Sequence, residues 1–379
     1  MKILADQNMP LVEEYFAHLG HVTRFDGRSL TAEQLKGVDI LLIRSVTPVN
    51  EALLRFADQL KFVGTATIGT DHVDQDELAK RKIAFTNAPG CNAVAVAEFV
   101  ISALCALSQQ YHFELSDKVV GIVGVGNIGI RLHRKLQAIG IKTLLCDPFV
   151  QEQYPELQFV ELSQLFQQVD VISFHVPLIK DGPHATKHLL NEQTLSSLKP
   201  NAIVINASRG DVIDNLALNA YLSEPHQHHV VLDVWENEPT INTQLLDKVD
   251  FASVHIAGHT LEGKARGTQM LYQALSAQLD TPAELQLSDF LPTPAITNMT
   301  VSASFEVKNL PQLVHSVYDI RRDDGIVRAE LQKKGFDFLR KNYPIRREFS
   351  ALTLECATDE QALMLSELGF TTSNTALLK

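Results

Sequence analysis

The segment from residue 118 to residue 131, KVVGIVGVGNIGIR, constrains the fold more than any other part of this chain. Residues 119–123 form a short β-branched apolar run, which is typical of a buried parallel strand. A Gly-x-Gly-x-x-Gly sequence follows at once, and apolar residues then recur at helical spacing over residues 130–139. A second apolar strand ends at Asp147, 18 residues beyond the last of the three glycines. This order of strand, glycine turn, helix, strand and acid predicts a dinucleotide-binding unit.

Each part of this segment has a physical role in such a unit. Gly124 permits a tight turn, Gly126 lets the backbone approach a pyrophosphate, and Gly129 lets the helix pack closely on the strand. The free N–H groups at the N-terminus of the helix bind the anion. Asp147 can accept hydrogen bonds from ribose hydroxyls, and its charge repels a 2′-phosphate. The sequence therefore favours NAD over NADP.

The composition is that of an ordinary globular protein with an excess of acidic residues. Hydrophobic residues make up 45% of the 379 residues, which is enough to build two or three domains. Lys and Arg number 33 against 45 Asp and Glu, a formal net charge of −12. This balance argues against nucleic acid or a membrane surface as a partner. The longest apolar helical segment, residues 94–107, contains Glu98 and is too short to span a bilayer.

The cysteines and histidines indicate neither a disulfide framework nor a metal site. The four cysteines are scattered and form no Cys-x-x-Cys motif, as expected for buried thiols in a reducing compartment. His226, His228 and His229 fit neither one face of a helix nor the spacing of zinc ligands. We therefore expect a cytoplasmic protein without a bound metal.

Strand and helix signals alternate along most of the chain, which predicts an α/β architecture with parallel sheets. Residues 1–95, joined by the returning helical segment 260–282, are expected to form one α/β domain. Residues 96–259 form a Rossmann-type dinucleotide-binding domain. A loose stretch rich in proline and threonine then precedes a more charged region, residues 290–379, which we expect to be a small separate domain with a late β–α signal.

Polar side chains follow several predicted strands of the dinucleotide-binding domain. They are His175, Ser208 with Arg209, Asp233 and His255. Because the carboxyl ends of parallel strands meet at one edge of a sheet, we expect these residues to converge on a crevice beside the glycine turn.

The chemistry of these side chains suits the oxidation of an alcohol, which needs a base for the hydroxyl proton while a hydride leaves. His255 can give or take a proton at neutral pH, and Glu238 is placed to orient its ring. Arg209 offers a planar cation for a substrate carboxylate. Singly, each of these residues is more often structural than catalytic. Together, downstream of a dinucleotide site, they predict a dehydrogenase.

Three blocks resemble signature sequences of the NAD-dependent D-2-hydroxyacid dehydrogenase family: NASRGDVID at 206–214, LDVWENEP at 232–239 and SVHIAG at 253–258. In that family the matching Arg, Glu and His are catalytic, which implies these roles for Arg209, Glu238 and His255. The resemblance covers about residues 1–280. It implies that the first domain is a flavodoxin-like substrate-binding lid and that the C-terminal domain makes a homodimer.

The same resemblance implies further contacts. For NAD, besides the three glycines and Asp147, they come from Asn127, Ile128, Val176, Ala207, Ser208, Asp233 and Gly258. For the substrate they come from Ser45, Thr67 and His259. Independently of the resemblance, we expect a basic contribution to a phosphate site from Arg44, or from Arg346 and Arg347 of this chain or of a partner subunit. A turn with a helix cap is an alternative interpretation of the Thr67 segment, and a solvated or interface charge is one for the Arg346–Arg347 pair. His259 stands where the family pattern has Tyr, and Val176 where it has Thr.

These features predict an enzyme that oxidises a small phosphorylated D-2-hydroxy acid. The identity of that acid stays open, and 3-phosphoglycerate is one alternative. A second alternative is a non-catalytic NAD-sensing protein of the same fold, since such relatives can keep the catalytic residues. Residues 318–348 do not resemble a regulatory amino-acid-binding domain, which argues against the 3-phosphoglycerate alternative. The charged C-terminal region has the sequence of a folded domain, which favours a metabolic dimer over a sensing protein.

Overall fold

The computed structural model of the protein describes residues 1–225 and 228–374. Its strands in chain order are β1 Lys2–Asp6, β2 His21–Phe25, β3 Ile40–Ile43, β4 Phe62–Thr65, β5 Ala84–Thr86, β6 Val119–Val123, β7 Lys142–Cys146, β8 Val171–Phe174, β9 Ile203–Asn206, β10 His229–Leu232, β11 Phe251–Ala252, β12 Asn298–Val301, β13 Thr353–Cys356 and β14 Thr371–Asn374. Its helices are α1 Val12–Phe16, α2 Gln75–Lys80, α3 Ala93–Tyr111, α4 Gly129–Ala138, α5 Leu162–Gln168, α6 Glu192–Leu195, α7 Asn215–Tyr221, α8 Thr243–Leu246, α9 Leu261–Gln278, α10 Leu310–Val317, α11 Ile320–Lys334, α12 Phe336–Lys341 and α13 Asp359–Leu368.

The chain divides into two compact units, residues 1–92 with 260–293, and residues 93–259 with 294–379. The first unit contains a five-stranded parallel sheet in the order β2-β1-β3-β4-β5. This is the flavodoxin-like order that we expected. All residues of the central strand β3 are buried, as in a parallel sheet covered on both faces. Helix α9 returns to this unit and adds Leu271, Tyr272 and Leu275 to its core.

The second unit contains a six-stranded parallel sheet in the order β11-β10-β9-β8-β6-β7. Beyond β7, Phe159 pairs with Leu145 in a single parallel bridge. With that bridge counted as a reduced third strand, the order is that of the Rossmann fold. The predicted dinucleotide-binding architecture is therefore confirmed. Gly140 has φ +75° and ends the helix that follows the glycine turn, as its sequence position predicted.

Helix α3 spans Ala93–Tyr111, so the helix that we predicted over residues 92–109 is confirmed, and it is longer than the apolar segment 94–107. By length and composition this helix, among the residues described, could cross a membrane, so our argument from its length is wrong. Its environment is more informative, since 83% of its most apolar window is buried inside the fold. Glu98 is among the buried residues.

The region after residue 294 has a sheet of its own, with the parallel order β12-β13-β14, yet it shares a hydrophobic core with the Rossmann sheet. At the junction Glu98 of α3 and Lys135 of α4 form a buried ion pair with an N–O distance of 3.5 Å. Lys135 also donates to the carbonyl of Leu368, and the N–H of Phe349 donates to Glu98 at 3.0 Å. The C-terminal region therefore belongs to the second unit, and its separation as a third domain stays a prediction.

Candidate active site

The glycine turn joins β6 to α4 at the carboxyl edge of the second sheet. Gly124 has φ +91°, and a Cβ there would lie 2.6 Å from the carbonyl oxygen of His175, so a side chain is excluded. A Cβ on Gly129 would collide with the Gly124 carbonyl, so helix and strand pack closely. At Gly126 a Cβ would meet no atom within 4 Å, which leaves a cradle open beside the turn. These positions fit a pyrophosphate at the N-terminus of α4.

Asp147 follows β7 and is half-buried beside the same turn. Its Oδ2 accepts a hydrogen bond from the N–H of Val125 at 2.8 Å, and its Oδ1 accepts one from the N–H of Phe149 at 2.9 Å. The carboxylate therefore holds the turn and still has lone pairs for a ribose hydroxyl. Asn127, which is exposed, and Ile128, which is half-buried, complete the turn.

His255 and Glu238 form a hydrogen-bonded pair at the same edge of the sheet. His255 has φ +59°, and its backbone N–H donates to the carbonyl of Asp233 at 2.7 Å. Its Nδ1 lies 2.8 Å from Oε2 of Glu238, whose Oε1 accepts from the N–H of Trp235 at 2.9 Å. Because a carboxylate only accepts, Nδ1 carries the hydrogen and Nε2 keeps its lone pair. The His255 side chain is 30% exposed.

Asp233 fixes the turn that carries His255. Its Oδ1 accepts from Ser253 Oγ at 2.6 Å and from Ile256 N at 2.7 Å, and its Oδ2 accepts from Ala257 N at 3.0 Å. The residue is only 1% exposed. No sequence pattern indicated this supporting role, and the contact between Asp233 and NAD stays a prediction.

Arg209 follows β9 on a loop that its neighbours hold in place. Oδ1 of Asn206 accepts from Ser208 N at 3.1 Å and from Ser208 Oγ at 2.9 Å, while its Nδ2 donates to the carbonyl of Arg209 at 2.9 Å. A Cβ on Gly210 would collide with the carbonyl of Trp235, so this loop lies against the one that leads to Glu238. The exposed guanidinium donates to the Ser208 carbonyl at 2.7 Å. Within residues 1–225 and 228–374 it has no other acceptor, which leaves it available to an anion.

His175, which we expected among the polar residues of the crevice, is buried behind the glycine turn instead. Its Nε2 lies 2.8 Å from Ser173 Oγ. Burial lowers the pKa of His175 to about 3, so the ring is neutral at physiological pH. Its role is therefore structural. Val176 follows it, is half-buried, and packs against Gly124.

Three other predicted contacts have simpler surroundings. Ala207 is buried directly after β9, and Gly258 is half-buried after the His255 turn. The backbone N–H of His259 donates to the carbonyl of Ile256 at 2.7 Å, and its ring lies edge-on to that of Tyr343, with centroids 6.2 Å apart. Their contacts with NAD or substrate stay predictions.

In the first unit, Arg44 and Ser45 follow β3 at the carboxyl edge of its sheet. Nε of Arg44 lies 3.3 Å from Oδ1 of Asp6. Asp6 is fully buried and is the last residue of β1, at the same edge of the sheet. Ser45 is exposed. The strand-end argument that we used for the dinucleotide-binding domain would have identified Asp6 had it been applied to the first strand.

Thr67 lies in a polar loop after β4. Its Oγ1 donates to the carbonyl of Gly69 at 3.0 Å and lies 2.7 Å from Thr65 Oγ1, which is 3.0 Å from Nε2 of His72. Burial lowers the pKa of His72. Because Asp74 caps α2, the helix-cap interpretation of the Thr67 segment is wrong.

Arg346, a predicted phosphate contact, is a buried structural residue. Its Nη1 donates to the carbonyl of Ala257 at 3.0 Å and its Nη2 to that of Ala95 at 2.7 Å. The guanidinium also stacks on Tyr318, 3.5 Å from the ring centroid. Only 5% of the residue is exposed, so the assignment to phosphate is wrong in this structure. Arg347 is half-buried, and its predicted role is untested.

The histidine cluster and the cysteines have local partners. Nε2 of His228 lies 2.9 Å from the carbonyl of Lys199, and His229 stacks on Tyr111 with centroids 3.7 Å apart. His226 lies outside the described residues. The part of the chain that the structure describes contains no group of three His, Cys, Asp or Glu arranged for a metal. The free cysteines are Cys91, Cys105, Cys146 and Cys356.

Known proteins resemble this chain over most of its length. Residues 105–260 match the family described as D-isomer specific 2-hydroxyacid dehydrogenase, NAD binding domain, and residues 290–369 match a domain of unknown function. The erythronate-4-phosphate dehydrogenase of Pseudoalteromonas translucida (strain TAC 125) is 56% identical over 99% of this chain and 100% of its own length. That of Klebsiella pneumoniae (strain 342) is 50% identical over 98% of each chain.

A solved structure shows the same likeness at the level of the fold. D-lactate dehydrogenase from Aquifex aeolicus, complexed with NAD and lactic acid, superimposes with a TM-score of 0.58 and 25% identity. The match covers 73% of this chain and 95% of that one.

Proposed function

This chain belongs to the erythronate-4-phosphate dehydrogenase family of D-isomer specific 2-hydroxyacid dehydrogenases, and we propose that it oxidises 4-phospho-D-erythronate with NAD as acceptor. The product is 2-oxo-3-hydroxy-4-phosphobutanoate, in the biosynthesis of pyridoxal 5′-phosphate. The observation that carries the proposal is the His255–Glu238 pair, beside an open glycine cradle at one sheet edge. The substrate is taken from the near full-length relatives.

The residues of the second unit divide the work of the oxidation. The reaction breaks the C2–H and O–H bonds of the substrate and forms a carbonyl at C2. The Nε2 lone pair of His255 takes the hydroxyl proton, and Glu238 stabilises the imidazolium that results. Arg209 holds the substrate carboxylate and polarises the forming carbonyl. When bound, NAD accepts the hydride.

The cofactor contacts follow from the same geometry. Gly124, Gly126 and Gly129 shape the pyrophosphate site, and Asp147 accepts from the adenosine ribose. In the first unit, Ser45 and the loop that carries Thr67 contact the substrate.

We further propose that the protein works as a homodimer in the cytoplasm. The C-terminal region exposes large apolar side chains, Ile296 at 51%, Phe338 at 50%, Ile345 at 81% and Leu363 at 63%, which suits an interface. All four cysteines are free, as is usual in a reducing compartment. Sedimentation analysis tests the dimer, and a monomer at micromolar concentration would contradict it.

The function is tested by comparing turnover of 4-phospho-D-erythronate and D-3-phosphoglycerate with NAD. A 2-oxo acid is added so that NADH that stays bound can be reoxidised in place. We expect clear preference for the erythronate, and His255→Ala should abolish turnover while NAD still binds. Activity on phosphoglycerate alone would overturn the substrate assignment. Absence of turnover with either substrate, while the protein still binds NAD, would favour a sensing protein.

A further inference from the structure

The N-terminal turn of α9 lies over the carboxyl edge of the first sheet. Leu271 packs 3.1 Å from the position of a Cβ on Gly64, and the Ala66 carbonyl lies 3.2 Å from that of a Cβ on Gly267. The step from Gly64 to Ala66 along β4 and beyond its end is therefore matched by the step from Leu271 back to Gly267 in α9. Both steps span about 6 Å. Lys264, almost one turn before Gly267, continues this path beyond the end of the strand.

Arg44 occupies the neighbouring strand end at the same level. Ile43 is in register with Thr65, so Arg44 lies at the height of Ala66. Its charge is only partly compensated. Nε is 3.3 Å from Asp6 without a hydrogen bond, and neither terminal nitrogen has an acceptor among the residues that the structure describes. Asp6 already accepts from the N–H of Asn8 at 2.7 Å.

Lys264 is the second cation of this edge. Its side chain is exposed, and in the described chain no carboxylate lies within ion-pair distance of it. Although Lys264 reaches the surface, desolvation by the protein atoms around it and, after it, the positive charge of Arg44 lower the pKa of Lys264. Arg44, whose charge Asp6 compensates only in part, and Lys264 together make a locally positive site in a chain of net charge −12.

We propose that Arg44 and Lys264 form the subsite that binds the phosphate group of the substrate. An arginine fork can hold two phosphate oxygens, and an ammonium group a third. The exposed hydroxyl of Ser45 adds a donor at this edge. A phosphate dianion would also relieve the repulsion between the two cations. This assignment rests on the function proposed above.

The kinetic test compares a substrate with and without its phosphate. Lys264→Met should lower kcat/KM for 4-phospho-D-erythronate about 10- to 100-fold, mainly through KM. For D-erythronate, which lacks the phosphate, kcat/KM should change less than about twofold. Lys264→Arg should recover most of the loss. Lys80→Met removes an exposed lysine from α2 of the same unit and is the matched control, expected to match the wild type.

A binding measurement separates failure of the subsite from failure of the proposed function. Inorganic phosphate is titrated against each protein by calorimetry. It should bind the wild type about tenfold more tightly than it binds Lys264→Met or Arg44→Met. Its affinity for Lys80→Met should equal that for the wild type. Equal binding to all variants, or equal kinetic losses on both substrates, would overturn the subsite. Turnover of 4-phospho-D-erythronate that Lys264→Met leaves unchanged would overturn the subsite alone. Absence of turnover by the wild type, with phosphate binding as expected, would overturn only the proposed substrate.

Discussion

The His255 ring can accept a proton on Nε2 only while Nδ1 keeps its hydrogen, and Glu238 keeps it there. Its Oε1 is committed to the N–H of Trp235, so only Oε2 faces the ring. In Glu238→Gln the amide oxygen should remain with Trp235, and the NH₂ group should donate to Nδ1. The hydrogen of the neutral ring then moves to Nε2, where it blocks proton acceptance.

We expect kcat of Glu238→Gln to fall at least about 100-fold with NAD affinity nearly unchanged. Steady-state kinetics and NAD titration measure the two quantities. Glu236→Gln is the control, because Glu236 also pairs with a histidine at 2.7 Å, and that histidine, His188, has no proposed role in catalysis. A loss that is equal in both variants would contradict the assignment.

Asp147 is expected to set the choice of cofactor through its charge. Asp147→Asn keeps one of the two acceptors that hold the turn, loses the other, and removes the charge that repels a 2′-phosphate. The dissociation constant for NADP divided by that for NAD should fall about tenfold. Asp170→Asn is the control, since Asp170 also accepts from a backbone N–H, that of Val119, but at the other end of β6. An unchanged ratio in Asp147→Asn would mean that another residue recognises the ribose.

Asp323 of α11 should make stability depend on pH. It is buried and accepts from the hydroxyls of Tyr318 at 2.7 Å and Tyr343 at 3.0 Å. Burial raises the pKa of Asp323 from 3.8 to about 6, although both hydroxyls oppose this. A raised carboxyl pKa stabilises the fold below about pH 4, and this stabilisation is lost as pH rises through 6. The loss corresponds to about 3 kcal/mol.

Asp323→Asn should remove that loss. Urea unfolding between pH 4 and pH 7 measures this effect. The free energy of unfolding of Asp323→Asn, relative to that of the wild type, should increase as pH rises. Asp337→Asn, a change at an exposed position of the next helix, should run parallel to the wild type. Parallel behaviour of Asp323→Asn would refute the shift.

Single site residues were predictable where a backbone rule places them. Asp147, Arg209 and His255 all follow strands, and parallel strands bring their ends together. Hydrogen-bond partners were not predictable in this way. His175 follows the same rule but lies buried, and Arg346 is committed to two carbonyls from distant segments.

At the scale of elements, Gly126 and Gly129 have opposite roles within one turn. A methyl group on Gly126 meets no protein atom, whereas one on Gly129 collides with the Gly124 carbonyl. Gly126→Ala should therefore leave the melting temperature nearly unchanged and weaken NAD binding at least about tenfold. Gly129→Ala should lower the melting temperature itself. Thermal unfolding without and with NAD distinguishes these effects, and a destabilised Gly126→Ala would refute the open cradle.

Several periodic elements were predictable, whereas the helices α10 and α11 and the short half-exposed strands were not. The apolar runs of β3 and β6 and the spacing in α4, α9 and α13 predicted those elements to within a few residues. Strands β12 and β14 were missed, because they are four-residue edge strands. Their pairing depends on β13, which is distant from β12 in the sequence, and no local pattern encodes it.

For the whole molecule, the ion pair of Glu98 and Lys135 joins the Rossmann helices to the C-terminal region. Burial raises the pKa of Glu98 to about 8, so Lys135→Met should leave a protonated carboxyl buried without its partner and destabilise the protein by about 1–3 kcal/mol. Adding Glu98→Gln should restore part of that loss. Urea unfolding measures both variants, with Lys142→Met at an exposed position as control. A loss below about 1 kcal/mol for Lys135→Met would show that the Glu98 carboxyl can stay buried without Lys135 at little cost in stability.

The first unit is built from two stretches of chain, and this has a consequence for its synthesis. Its five strands leave the ribosome early, but Leu271, Tyr272 and Leu275, which complete the core around Tyr15 and Phe16, follow roughly 180 residues after residue 92. At about 5–20 residues per second, the delay is roughly 10–40 s. During that interval one apolar face of the nascent sheet lacks its covering helix. The rate at which residues 93–271 are translated therefore determines how long the nascent chain exposes this apolar face to aggregation and to chaperone binding.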